Sequence, residues 1–294
     1  MPRTETSHRP VPLNRPAATA RRHPVASFLV LVLGLGWSAL AVPAVAGLPF
    51  APFLLVLVWV VLLGSSLLVS RWVDGPGAAR RLLARAAAWR FSLARWAVVI
   101  VAVPATTLLL AAVSGTLQGS GRGWLTSMAF YAFDILVFGT LLLNVWEETA
   151  WGGFLQTRLM ARHGLLVASL LTAPAFAAIH VPLLFEEGWT WPDVAGGLAL
   201  LFGLAPVYRY LVGLHLLGTS GSVLAVAVQH ASWNTATRLD EVEGEWQAIV
   251  AVLLVTAIVA LHHRIRGGAA GPRGRDAERA AATAWLVSSG RVPA

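Results

Sequence analysis

The chain has 294 residues, of which 57% are hydrophobic and only 12% charged. A soluble domain carries about 25% charged residues, so too little polar surface exists to cover a water-soluble body, and lipid is the natural solvent of this chain. The absence of cysteine excludes disulfides, thiolate metal sites and cysteine nucleophiles. The net charge of +8 comes entirely from 22 arginines, with no lysine. Their placement, given below, points to a membrane surface and not to a nucleic-acid partner.

Residues 1–24 read as a basic tail. A spanning helix needs about 20 apolar residues, and eight stretches qualify: roughly 25–46, 50–70, 96–114, 127–146, 164–185, 195–217, 221–238 and 246–263. The fourth is expected to continue helically through Glu147 and Glu148 to about Met160. No ladder of alternating strands is present, which argues against a β-barrel. The expected fold is therefore an all-α polytopic membrane protein with about eight transmembrane helices over 25–263. Between the second and third spans, segment 77–95 reads as an amphipathic helix on the bilayer surface, with Leu82, Ala86, Trp89 and Leu93 on one face. Residues 264–294, rich in Gly, Ala and Arg, read as a mobile tail with one short helix near 276–288. Arg21 and Arg22 before the first apolar run, with Ala44-Val45-Ala46 after it, also fit a signal peptide. That run is long for one.

Arginine placement gives the orientation. The N-terminal tail (Arg3, Arg9, Arg15, Arg21, Arg22), the segment 71–95, the turn after the fourth helix (Arg158, Arg162) and the C-terminal tail hold 19 of the 22 arginines. With eight spans, all four segments fall on one face. The opposite loops hold Arg122 and Arg238 along with Glu186, Glu187, Asp193, Asp240, Glu241, Glu243 and Glu245. Both termini are expected in the cytoplasm, with the protein in the plasma membrane of a bacterium.

Ionisable groups inside a bilayer are costly and are functional candidates by default. The fourth span carries Asp134, Asn144, Glu147 and Glu148, and the fifth carries His180. The sixth carries Tyr208, Arg209 and His215, and the seventh Gln229, His230 and Asn234. Phe176 and His180, and His230 and Asn234, are i, i+4 pairs that share a helix face. Glu147 and Glu148 lie near the middle of the fourth helix, and His230 about 14 Å above the start of the seventh. Three helices can thus bring two carboxylates, two imidazoles and a carboxamide together at depth. Paired carboxylates divide acid and base roles, and imidazoles with carboxylates are also zinc-type ligands. Asp134 lies roughly 20 Å from Glu148 at helical rise and reads as structural.

Glu147-Glu148 followed by Trp151, Gly153 and Phe154, then Phe176-x-x-x-His180, then His230-x-x-x-Asn234, resembles the CPBP family of intramembrane proteases, which includes the type II CAAX prenyl endopeptidases and the bacterial Abi proteins. The resemblance covers about 140–238 and implies a catalytic core over about 127–238. It implies hydrolysis of a peptide bond in a membrane-associated or lipidated protein or peptide. Glu147 would be the general base on a water positioned by His180, with His230 and Asn234 stabilising the oxyanion. Glu148 would share a proton or bind a metal; in the metal form Glu148, His180 and His230 would ligate Zn²⁺. A metal-free glutamate mechanism stands beside it, and no His-Glu-x-x-His helix is present. Phe176 and Trp151 would support the site. One position departs from the family pattern: Gly152 stands where the first motif, Glu-Glu-x-x-x-Arg, has its arginine. Arg209 on the sixth span is the expected substitute. Three rival readings remain: a rhomboid-type serine protease using Ser220 of Gly218-Thr219-Ser220-Gly221, a transporter built on the same polar groups, and an inactive scaffold, for which Gly152 is the best argument.

Overall fold

A computed structural model describes residues 15–185, 188–266 and 272–287. The tail residues Arg3, Arg9 and Arg291 and the loop acids Glu186 and Glu187 lie outside the described residues. The described residues form helices joined by loops: α1 (Arg15–Arg22), α2 (Pro24–Ala46), α3 (Ala51–Asp74), α4 (Ala78–Ala86), α5 (Leu93–Ser114), α6 (Trp124–His163), α7 (Leu165–His180, prolonged as a tighter 3₁₀ turn over Val181–Phe185), α8 (Trp191–Gly218), α9 (Val223–Ala236), α10 (Trp246–Ile265) and α11 (Pro272–Val287). Among the described residues there is no strand, only a single bridge between Leu117 and Val242.

Seven helices are long and apolar enough to cross a bilayer, one fewer than expected. The difference is α9, read as a span over 221–238. Its 14 residues rise about 21 Å, short of the roughly 30 Å of hydrocarbon. Ser222 caps its start by accepting from the Ala225 N–H at 3.0 Å. Nearly every residue of α9 is buried, from Val223 through Ser232 to Ala236. It is enclosed by α5, α6 and α8 and does not need to face lipid. Around it, Val30, Val101, Leu109, Val113, Leu125, Met128, Leu166, Leu170 and Ile258 are exposed. For a body of this size such an apolar surface is tolerable only against lipid, and the protein is integral to the membrane.

Two further expectations are corrected. Segment 77–95 is not one surface helix. Helix α4 ends at Ala86, and only Leu82 and Ala86 of its apolar face are buried in the protein, while Trp89 and Leu93 beyond the break are exposed. What holds α4 inward is Arg85, which donates to Gly221 O (2.8 Å), Gly153 O (3.0 Å) and Thr157 Oγ1 (3.1 Å). In the C-terminal segment, read as a mobile tail with one short helix near 276–288, that helix is α11, and it packs on the end of α6. Glu278 accepts from the first N–H of α7, Leu165, at 2.9 Å, where the helix dipole favours an anion. Its Trp285 lies against Gly221, whose φ of +82° suits glycine and whose missing Cβ leaves room for the indole.

Contacts gather the arginine-bearing segments at one end of the bundle. Arg21 donates to Trp72 O at 2.8 Å, Arg158 pairs with Asp74, and α11 covers the α6–α7 turn. The other end is closed by the 115–123 and 237–245 loops. Gln118 N–H donates to Glu241 O (2.8 Å), Glu243 N–H to Thr116 O (3.0 Å), and Arg122 pairs with Asp240 at 2.8 Å. Burial alone would raise the Glu241 carboxyl, but hydrogen bonds from Ser127 and Tyr131 hold it below the usual carboxylate value.

Candidate active site

Helix α6 is not a regular α-helix. Over Asp134–Asn144 and Thr149–Gln156 its hydrogen bonds run i→i+5, flanking one α turn, Val145–Glu148. Such widened turns occur frequently at functional sites. They change which residues face one another. The α-helical reading put Asn144 on the face of Glu148, whereas Asn144 Nδ2 lies 3.4 Å from Glu147 Oε2. The two glutamates diverge into different surroundings.

Glu148 is fully buried. Its Oε1 and Oε2 accept from Arg209 Nη1 at 2.9 and 3.1 Å, and Oε1 also accepts from His230 Nδ1 at 3.1 Å. Arg209, on α8, is equally buried. Its Nε and Nη2 donate to Gln156 Oε1 at 2.9 and 2.6 Å, and Gln156 Nε2 returns a bond to Arg209 O at 2.7 Å. Two desolvated charges are stable only when paired and hydrogen-bonded like this. The glycine in the first motif is what makes the arrangement fit. A Cβ on Gly152 would lie 2.9 Å from Glu148 Oε2 and 3.7 Å from Arg209 Nη2. The space beside residue 152 is taken first by the Glu148 carboxylate, with the Arg209 guanidinium from α8 at ordinary contact distance behind it. Gly152→Ala is expected to crowd this pair and to cost about 1–3 kcal/mol, read as a lower unfolding midpoint in detergent; an unchanged midpoint would show that the pair has room to move.

Glu147 faces the other way. Its side chain keeps 10% of its exposure, with His180 Nε2 at 3.7 Å from Oε1 and His230 Nδ1 at 4.0 Å from Oε2. His180 Nδ1 bonds Phe176 O at 2.7 Å. A carbonyl only accepts, so Nδ1 carries the proton and Nε2 is turned toward Glu147. Phe176 explains the spacing of its motif. Its ring packs 4.8 Å from His180, 6.0 Å from His230, 5.8 Å from Tyr208 and 5.8 Å from Trp151, with the Arg209 guanidinium 5.1 Å away. Trp151 is in turn backed by Phe28 of α2, edge-on at 5.9 Å. One aromatic side chain thereby fixes both imidazoles.

A cavity of about 230 Å³ adjoins these groups, lined by Phe176, His180, Leu204, Tyr208, His230, Trp233 and Asn234 among others. The structure thus brings His180, His230 and Asn234 around one space, with Glu147 behind His180 and Glu148 behind His230. Asp134 stands apart, accepting from Thr235 Oγ1 at 2.8 Å and pairing with Arg238 at 3.5 Å. Ser220 is exposed in the α8–α9 turn, at the opposite end of α9 from Asn234.

These residues do not fit the zinc set Glu148, His180 and His230. Both oxygens of Glu148 lie against a guanidinium, so an ion there would meet a fixed positive charge, and His180 faces Glu147 instead. Among the described residues no group of three His, Asp or Glu is arranged to hold a metal. Sequence reasoning missed Gln156, which completes the Arg209 network. Its signal was present: an amide in a spanning helix, eight residues and about two turns beyond Glu148.

Residues 124–236 match the family model described as type II CAAX prenyl endopeptidase Rce1-like. The match runs from the start of α6 to the end of α9, and so spans every residue of the cavity's polar cluster. The likeness to CPBP-family membrane proteases read from the three motifs is thereby shown. At the level of the family it supports a CAAX-type intramembrane protease function. No curated protein matches the chain. Helices α1–α5, α10 and α11 lie outside the Rce1-like segment.

Proposed function

We propose that the protein is an intramembrane endopeptidase that hydrolyses a peptide bond in a membrane-associated or lipidated substrate, with Glu147 as general base. The observation that carries this reading is the separation of the two glutamates: Glu148 is locked to Arg209, and Glu147 lies against His180, which lines the cavity. A water between Glu147 and His180 gives one proton to the Glu147 carboxylate. Its second hydrogen is held by His180 Nε2, which leaves an oxygen lone pair aimed into the cavity. As that oxygen bonds the scissile carbonyl carbon, the carbonyl π electrons move to its oxygen. Asn234 donates its amide N–H to the oxygen where this charge develops, and His230 donates Nε2–H there as an imidazolium whose Nδ1–H is held by Glu148; donors fixed in advance stabilise such charge strongly. Glu147 then hands its proton to the departing nitrogen as the C–N bond breaks. Glu148 and Arg209 take no proton; they hold His230 in orientation through Nδ1.

The scaffold reading rests on the loss of the motif arginine, and Arg209 at 2.9 Å from Glu148 weakens it. The test is cleavage of a library of membrane-derived and lipidated peptides by purified protein, beside His230→Ala, with and without chelator. Cleavage that His230→Ala loses and chelator leaves intact is expected. Abolition by chelator would replace the glutamate mechanism with a metal one. No cleavage by folded protein across lipid conditions would favour the scaffold.

A further inference from the structure

A groove of about 480 Å³ lies at the arginine-bearing end of the bundle and shares no lining residue with the catalytic cavity. Its walls come from the last residue of α6, the first turn of α7, the end of α10 and the first half of α11, together with Tyr210 of α8. The charges in it are unequal. His163, His263, Arg264 and Arg275 line the groove against one acid, Glu278. That acid is already engaged: one oxygen accepts from Leu165 N–H at 2.9 Å, and the other lies 3.8 Å from His263 Nε2. Arg264 and Arg275 are exposed and make no ion pair among the described residues.

Two further observations define what would complete the groove. The first N–H groups of a helix have no partner within it. In α7, which is 16 residues long, Glu278 takes the N–H of Leu165, while those of Leu166 and Val167, which also line the groove, bond to no described residue. Such a helix start favours an anion. The lip of the groove, by contrast, is apolar. The side chains of Leu166 and Val167 are exposed, as are Leu261 and Ile265, which flank the basic end of α10. A free phosphate gains nothing from that lip, whereas a phospholipid has both a phosphate and a chain to lay on it.

We propose that this groove holds the phosphate headgroup of one anionic phospholipid from the adjacent leaflet, with an acyl chain lying over Leu166 and Val167. Basic pockets between spanning helices are suited to such headgroups, and the groove is within the 300–1,000 Å³ common for small-ligand sites. The lipid would bridge segments far apart in the chain. His163, Leu166 and Val167 belong to the Rce1-like segment 124–236, while Arg264 and Arg275 lie outside it. The bound lipid thus fastens α10 and α11 to the segment that carries the catalytic cluster. Neither the site nor its test depends on the hydrolytic reading.

The test is native mass spectrometry of the full chain in detergent, titrated with phosphatidylglycerol, phosphatidylcholine or inorganic phosphate. The expected result is retention of one phosphatidylglycerol in preference to phosphatidylcholine, with millimolar inorganic phosphate failing to displace it. Arg264→Gln together with Arg275→Gln should weaken that binding by about 30-fold, close to fivefold per arginine. The matching Arg→Lys pair should keep most of it. Arg71→Gln with Arg80→Gln removes the same charge from exposed arginines at the same end and should leave binding unchanged. Equal unfolding midpoints without lipid show that the variants are folded; if the double variant is not, each single variant should still show its own fivefold loss. An equal loss in the Arg71, Arg80 control would reduce the effect to general attraction and overturn the proposal. So would equal retention of phosphatidylcholine, or no retained lipid at all. Displacement by inorganic phosphate would make this a site for free phosphate and overturn the lipid as its occupant.

Discussion

Arg209→Ala is expected to destabilise the protein by about 3–5 kcal/mol, the cost of leaving a buried charge without its partner, and adding Glu148→Gln should recover a large part of the loss. The reason lies in the closure of the network. Glu148 has no solvent exposure, and besides Arg209 its hydrogen bond is to His230. Removing the guanidinium strands the carboxylate and also the Gln156 carbonyl oxygen, which takes two bonds from Arg209. A neutral glutamine at 148 removes the stranded charge while keeping the shape. The unfolding midpoint in detergent of the wild type, both single variants and the double variant forms a cycle whose coupling term reads the pair directly. Additive effects would mean that the two side chains do not depend on each other, and the place of Arg209 as stand-in for a motif arginine would fall. Arg209→Lys should not restore wild-type stability, because a single ammonium cannot serve Glu148 and Gln156 together as the guanidinium fork does.

Glu147→Gln should lower kcat by about 10²–10⁴, the range a positioned general base contributes, with little effect on KM or on the unfolding midpoint. Glutamine keeps the volume and the contact with Asn144, which is long at 3.4 Å, and Glu147 carries no short ion pair whose loss would weaken the fold. Neighbouring glutamates should therefore fail in opposite ways: one variant folded and inactive, the other, Glu148→Gln, losing stability with activity following it. Steady-state rates on a cleaved library peptide, set beside unfolding midpoints, separate the two. A Glu147→Gln enzyme that retains its rate would move the base elsewhere, and His180 would become the candidate.

The membrane class, most helix positions and the polar cluster were legible in the sequence because a bilayer enforces simple rules. Lipid-facing stretches must be apolar for about 20 residues, so Glu147, Glu148, His180, Arg209, His230 and Asn234 stand out against leucine and alanine. The i, i+4 offsets of Phe176 with His180 and of His230 with Asn234 survive because α7 and α9 are ordinary α-helices. The same reasoning failed at α6, where hydrogen bonds that run i→i+5 turn Asn144 toward Glu147; hydrophobicity carries no mark of a widened turn. At α9 it read a lipid-exposed span where the structure has a shorter helix enclosed by others, because burial among helices and burial in lipid select the same residues. It failed at α4, whose arginines look solvated in sequence but include Arg85, consumed by backbone carbonyls.

What the sequence determined by itself is that this chain lives in a membrane and carries a protease-like set of groups in three ordered motifs. Which glutamate is locked and which is available was decided only by the tertiary structure. That choice depends on a guanidinium delivered from α8 to a carboxylate that leans over Gly152 on α6, a contact across 61 residues of chain that no local pattern encodes.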